Sequence, residues 1–359
     1  MIKPASSLCD MKCSYCFYSD VAASRQQFSM GIMNKEAAAS IIKNIFSVLT
    51  AGDHITFGFQ GGEPGLAGLD FFLFFVKEAK KAASSPKIQI HYSLQTNGLM
   101  IDDKWCKFFK ENNFLIGLSV DGDAALHNKN RMDNHGKGTF NIVMAAKKLL
   151  DNFKVDYNIL CVLTSEGARR AKRIWDFILK EKIKYIQFIP CLEPFNQKSP
   201  YALTSEKFYR FYSDIFSFWK REVEKGNFVS VRLFDDLATL MMSGRPATCG
   251  LSGRCSPQII VEADGSVYPC DFYVLDEYRA GDLTKDNLQQ IFKMVAESEF
   301  LKEARQMPAW CEGCVYNTWC KGGCKRMAQA VYGEHCGMRK FLDENWRALC
   351  RYLPSKSRI

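Results

Sequence analysis

Over residues 1 to about 225, strand-length runs of β-branched and aromatic residues alternate with helix-length amphipathic segments. No other feature limits the fold so tightly. Strands are expected at Ile2–Ala5, Ile55–Gln60, Ile88–Gln95, Phe114–Val120, Asp156–Leu163 and Tyr185–Cys191. Helices are expected at about Lys35–Leu49, Phe71–Ala83, Asp103–Glu111, Phe140–Asn152 and Arg169–Glu181, with another at about Ser205–Glu224. A helix between successive strands makes each pair a βαβ crossover, so this is an α/β chain with a parallel sheet. Six units fall two short of a closed (β/α)8 barrel, and ligands belong at the C-terminal ends of the strands. The rhythm stops near residue 230, dividing the chain into 1–230 and 231–359. In the second part a hairpin is expected at Gln258–Ala263 and Ser266–Tyr268 around an Asp264-Gly265 turn, then a helix over Asn287–Lys302. Lys356-Ser357-Arg358 reads as a frayed tail.

The chain has fifteen cysteines in 359 residues, six before residue 230 and nine after. Their number is odd and they cluster. The chain opens Met-Ile-Lys-Pro-Ala-Ser with no secretory leader pattern, so metal ligation in a reducing cytoplasm fits better than a disulfide framework. Apolar stretches such as Phe71–Val76 are too short to cross a bilayer. A net charge of +9, from 48 Lys and Arg against 39 Asp and Glu, invites a nucleic-acid partner. The basic residues form only short pairs, such as Lys80-Lys81, Lys147-Lys148 and Arg169-Arg170, which read as solvated helix faces. Neither nucleic acid nor membrane is expected as a partner.

Cys9, Cys13 and Cys16 form a C-x3-C-x2-C run with Tyr15 and Phe17 flanking the last cysteine. An iron–sulfur cubane normally takes four cysteines. Three from one loop leave an iron open, and an open site is where a metal does chemistry. The same three residues alone also fit half a zinc site. Gly61-Gly62-Glu63-Pro64 follows the second strand; its glycines let backbone approach a ligand, and Glu63 suits an ammonium group. In the last third, Cys249 and Cys255 precede a C-x9-G-x4-C step to Cys270. Then come Cys311-x2-Cys314-x5-Cys320-x3-Cys324 and Cys336. Eight thiolates complete two clusters, although C-x2-C pairs alone fit zinc ribbons as well. Cys106, Cys161, Cys191 and Cys350 fit no such pattern and read as small buried hydrophobes.

Together these motifs resemble the radical S-adenosylmethionine (SAM) superfamily, and the C-terminal pattern resembles its SPASM domain. The resemblance implies an open (β/α)6 partial TIM barrel, then a cysteine-rich domain holding two auxiliary clusters, making three 4Fe-4S clusters with SAM as the further cofactor. It assigns Cys249, Cys255, Cys270 and Cys324 to one auxiliary cluster and Cys311, Cys314, Cys320 and Cys336 to the other. It also places Tyr15, Gly61, Gly62, Glu63, Ser119, Arg131 and Leu192 around SAM. The segment Tyr268-Pro269-Cys270-Asp271-Phe272-Tyr273 resembles the anaerobic sulfatase-maturating enzymes, in which the aspartate after the cysteine takes a proton from the substrate. Asp271 is therefore the expected general base. The implied reaction oxidises a cysteine or serine of a sulfatase-type Cys/Ser-x-Pro-x-Arg segment to Cα-formylglycine, with flavodoxin or ferredoxin as electron donor. Gly65 departs from the threonine usual after the Gly-Gly-Glu-Pro element. Two rivals stay open: a maturase forming thioether or carbon–carbon crosslinks in a peptide, and a zinc-bearing nucleic-acid-binding module. Many crosslinking maturases carry a peptide-recognition domain before the first cysteine motif; eight residues before Cys9 are too few for one, which weakens the first rival without removing it.

Overall fold

The computed structural model describes residues 1–83, 87–303, 307–333 and 335–352; the tail at 356–358 lies outside them. Strands β1 (His54–Phe59), β2 (Gln89–Thr96), β3 (Phe114–Ser119), β4 (Tyr157–Leu163), β5 (Tyr185–Pro190) and β6 (Ser230–Val231) form a six-stranded sheet in chain order. The paired neighbours run parallel, with Phe59 beside Leu94 and Thr96 beside Leu118. Helices α1 (Phe17–Ala23), α2 (Lys35–Phe46), α3 (Leu69–Ala82), α4 (Asp103–Glu111), α5 (Ala124–Asn130), α6 (Phe140–Asn152), α7 (Ala171–Lys180) and α8 (Ser205–Glu224) complete the alternation. The expected alternation of six strands with helices is therefore present, with two differences in the strand list. The expected strand Ile2–Ala5 is a single bridge at Ile2, because Pro4 has no N–H to offer and the chain turns at once. The sixth strand is instead β6, two residues long and too short to show periodicity.

The chain packs as two compact units: Met1–Ser119 with Arg131–Tyr157 and Ser256–Ala304, and Val120–Asn130 with Asn158–Cys255 and Arg305–Ile359. In the first unit, Phe57 and Phe59 of β1 and Tyr92 and Leu94 of β2 are buried on one face. Phe72 and Phe75 of α3 meet Phe59 edge-on at 5.0 and 5.1 Å between ring centroids. Such rings stabilise the sheet–helix layer by area and add about 0.5–1.5 kcal/mol per favourable pair. The opposite face carries Thr56, Gly58, Ser93 and Gln95, so polar groups alternate with the core along each strand. A three-stranded antiparallel sheet, β7 (Ile260–Val261), β8 (Ser266–Tyr268) and β9 (Gly281–Asp282), contains the expected hairpin and a third strand that was not foreseen. Ile2 bridges both Phe59 of β1 and Val261 of β7, so the first residues join this small sheet to the large one.

In the second unit, the aromatic stripe of α8, including Phe211, Phe216 and Trp219, is buried. It packs against the helix Gly337–Tyr352, whose Phe341 lies 6.1 Å from Phe216. The expected helix over Asn287–Lys302 is broken into Leu288–Ala296 and Glu299–Lys302. An Asn287–Gln290 capping box starts it, and extended Ser298, donating through its hydroxyl to the Val295 carbonyl, ends the first piece. Cys106, Cys161 and Cys191 are buried as expected; Cys350 is exposed, on the outward face of the last helix. Among the described residues, no helix is long and apolar enough to cross a membrane.

Candidate functional site

Bonding to β1 and its exit shapes the cysteine loop. Ile2 donates to the Gly58 carbonyl at 2.7 Å and accepts from Gln60 at 3.0 Å. Gly62 donates to Ser6 at 2.8 Å, and Glu63 to Leu8 at 2.7 Å. The Gly61-Gly62-Glu63 element is thus laced to the residues just before Cys9. The approach is so close that a β-carbon on Gly62 would stand 2.0 Å from the Leu8 carbonyl oxygen, and one on Gly61 2.7 Å from that of Ser6. On the other side, Lys12 donates to the Met132 carbonyl at 2.8 Å and Met11 bridges Asp133, which brings buried Arg131 over the Tyr15 ring at 5.6 Å.

Glu63 is 1% exposed and gathers three donors: Gly65 N–H at 2.9 Å, the Thr96 hydroxyl at 3.0 Å and Asn97 N–H at 2.7 Å. Burial pushes its carboxyl up to about 7, and the Asn97 and Gly65 amides pull it back only in part. Asn97 also donates through its side chain to Asp10 at 2.6 Å and lies 3.9 Å from Cys9 Sγ. A chain of contacts therefore runs from Glu63 to the first cysteine. A β-carbon on Gly65 would meet Met100 Cγ at 2.5 Å, so the departure at this position goes with the Met100 side chain above it. Ser119 is buried at the end of β3.

Asp271 heads a short 3-10 turn, Asp271–Tyr273, whose Phe272 meets Phe17 of α1 edge-on at 5.2 Å. Two residues that sequence reasoning missed fix its carboxylate. Tyr18, two positions after Cys16, donates its hydroxyl to Oδ2 at 2.8 Å. Lys3, whose side chain is 2% exposed, places Nζ 2.6 Å from Oδ1 and 3.9 Å above the Tyr18 ring. The Lys3 contact is close but not aligned as a hydrogen bond. Burial first, then the Asp271 carboxylate, raises Tyr18 well above the ordinary phenol range, so it stays a donor. The phenol also reaches Gln60 Oε1 at 3.4 Å. The available signal was a lysine inside an apolar opening segment, Ile2-Lys3-Pro4-Ala5; such a lysine needs a buried partner.

The donor set fits iron–sulfur centres. Cys9, Cys13 and Cys16 share one loop, where Cys16 donates its N–H to the Cys13 carbonyl at 3.3 Å and Met11 N–H points at Cys9 Sγ at 3.4 Å. Burial raises the Cys9 thiol to about 12, helped by Glu63, Asp10 and Cys13. A thiol so placed becomes a thiolate only beside a strong cation. In the second unit Cys311, Cys314, Cys320 and Cys336 line one small pocket with Trp310, Tyr316 and Tyr332. Burial and then Cys336 raise Cys320 to about 12, and burial also raises Cys336. Among the described residues, no three His, Cys, Asp or Glu are arranged to hold a single metal ion; a cubane spaces its thiolates around an inorganic core, one to each iron. Cys249, Cys255 and Cys324 lie in the second unit, where Cys324 N–H donates to Gly250 at 3.1 Å. Leu192 is buried beyond β5 in that unit, while Cys270 belongs to the first.

Comparison with known proteins agrees with this reading. The model of the Radical SAM superfamily matches residues 4–174, and that of SPASM, an iron–sulfur cluster-binding domain, matches residues 249–315. The cysteine-type anaerobic sulfatase-maturating enzyme of Clostridium novyi is 40% identical over 329 residues, covering 91% of this chain and 87% of that protein. The serine-type enzyme of Klebsiella aerogenes is 30% identical, covering 90% of this chain and 78% of that protein. The solved structure of native anSMEcpe with bound AdoMet and Cp18Cys peptide superposes with a TM-score of 0.88 at 38% identity, covering 98% of this chain and 97% of that one.

Proposed function

This chain belongs to the anaerobic sulfatase-maturating enzymes of the radical SAM superfamily, and from that membership we infer that it oxidises a side chain of a peptide substrate to Cα-formylglycine. The observation that carries the assignment is the identity of 40% maintained across nearly the whole length of both chains. Its higher identity to cysteine-type than to serine-type relatives, 40% against 30%, supports cysteine as the target. The expected segment is Cys-x-Pro-x-Arg in an unfolded sulfatase-type protein.

The cofactors are three 4Fe-4S clusters and SAM. Bound, they supply one-electron cleavage of the SAM sulfonium, hydrogen-atom abstraction and an exit for the second electron. The residues proposed to hold the open-site cluster are Cys9, Cys13 and Cys16. Cys249, Cys255, Cys270 and Cys324 are proposed for one auxiliary cluster, and Cys311, Cys314, Cys320 and Cys336 for the other. Glu63 receives the SAM amino group, with Gly61 and Gly62 allowing the approach. Tyr15, Ser119 and Arg131 bound the rest of the ligand, and Leu192 its adenine side. Asp271 takes the thiol proton from the substrate. Tyr18 and Lys3 hold one carboxylate oxygen each, so the group presents a fixed orientation rather than a choice of rotamers. Loss of one hydrogen atom from Cβ, one proton from Sγ and one further electron gives a thioaldehyde, which water converts to the aldehyde with release of hydrogen sulfide. A flavodoxin or ferredoxin in the cytoplasm is the proposed electron donor, and no membrane or nucleic-acid partner is required.

Asp271→Asn tests the assignment. All three clusters and SAM binding should persist, while aldehyde formation should fall by at least roughly a hundredfold, the scale for losing a general base. Turnover equal to the unmodified protein would remove Asp271 from the reaction. Cleavage of SAM with a crosslinked instead of an aldehyde product would favour the crosslinking maturase.

A further inference from the structure

Tyr332 is 3% exposed and reaches loops that carry different cysteine sets. Its hydroxyl donates to the Gly250 carbonyl at 2.9 Å, one residue after Cys249. Its ring lies on Gly323, one residue before Cys324, so closely that a β-carbon there would stand 2.1 Å from Cε2 and Cζ. Its carbonyl accepts from Trp310 Nε1 at 3.2 Å, one residue before Cys311. The same residue lines the pocket shared by Cys311, Cys314, Cys320 and Cys336. The Gly250 carbonyl also accepts from Cys324 N–H at 3.1 Å, so Tyr332 and Cys324 use its two lone pairs together. Ring packing alone would be met by phenylalanine; the hydroxyl adds a tether between two loops.

We propose that Tyr332 is a positioning residue that fixes the separation of the two auxiliary clusters, and with it the passage of the substrate's second electron from one cluster to the other. The first cluster is reoxidised as the second is reduced, and an external one-electron carrier then reoxidises the second. Electron transfer falls steeply with distance, and hydrogen bonds beside cluster ligands tune potentials. The proposal rests on the assignment of eight cysteines to two clusters and deepens it.

The test compares unmodified protein with Tyr332→Phe and Tyr332→Leu, all anaerobically reconstituted. Iron content is measured first. Electron paramagnetic resonance of the reduced protein then reports the magnetic interaction between the auxiliary clusters. About twelve irons are expected in the unmodified protein and in Tyr332→Phe. The interaction should change in Tyr332→Phe and further in Tyr332→Leu, while aldehyde formed per SAM cleaved drops by roughly tenfold or more in Tyr332→Leu, the scale for losing support around cluster ligands. An unchanged spectrum in Tyr332→Phe would overturn the tether, whether or not Tyr332→Leu loses iron. About eight irons or fewer in the unmodified protein would instead refute the two-cluster assignment, and the proposal with it.

Discussion

Gly62→Ala should dismantle the site from a position that touches no proposed iron ligand. The added β-carbon would stand 2.0 Å from Leu8 O and 2.7 Å from the carbonyl carbons of Leu8 and Ser7, all backbone atoms. Relief requires the Ser7–Leu8 segment to retreat by about 1 Å, given an ordinary carbon–oxygen contact above 3 Å. That movement breaks two hydrogen bonds, Gly62 to Ser6 at 2.8 Å and Glu63 to Leu8 at 2.7 Å. Each buried group left unpaired costs about 1–3 kcal/mol, and overpacking adds about 1–3 kcal/mol, so a loss of roughly 3–9 kcal/mol is expected. Because Cys9 follows Leu8 directly, the first cluster should be lost as well. Gly68→Ala is the control for backbone strain without a clash, since Gly68 has φ 80° and ψ 155° but nothing lies within 4 Å of the added carbon; it should cost about 1–3 kcal/mol and keep all its iron. The assay is urea unfolding together with anaerobic iron content. A Gly62→Ala protein of unchanged stability holding all its iron would refute the proposed lacing of loop and strand.

Lys3→Met should lower stability by about 3 kcal/mol or more, because it leaves the Asp271 carboxylate without its buried cation; paired unfolding curves check it, and Lys3→Arg should recover part. Glu63 carries a pH signature. Its carboxyl is raised from 4.5 to about 7 by burial, so the folded state binds its proton more tightly than the unfolded. Stability should therefore fall as pH rises from 4.5 to 7, by about 3 kcal/mol for this group, and level off above 7; thermal melts of Glu63→Gln should lack that slope. Replacing Cys9, Cys13 and Cys16 together by alanine should remove about four of twelve irons and abolish SAM cleavage, as iron assay and chromatography would show.

The alternation of strand and helix was legible because each element is long enough to display its period. α4, α6 and α8 end where the pattern ends. Ser230–Val231 and α1 were not, the first being two residues long and the second seven with little amphipathic pattern. Spacing likewise exposed the cysteines, since metal ligands in a loop sit at short fixed intervals. It could not expose Lys3 and Tyr18 around Asp271, because those contacts span 268 and 253 positions and depend on Ile2 pairing with both sheets. Nor could it show that Thr96 and Asn97 serve Glu63 across 33 and 34 positions. Cys350 was misread because a small apolar side chain near a helix end carries no mark of which face it occupies.

The most direct test of the central claim is mass spectrometry of a peptide carrying Cys-x-Pro-x-Arg after anaerobic incubation with reconstituted protein, SAM and reductant. Formation of formylglycine predicts a loss of about 18 mass units at the cysteine, with an aldehyde that can be trapped by a hydrazine. SAM cleavage that leaves the cysteine intact, or joins it to a neighbouring residue by a loss of about 2 mass units, would contradict it.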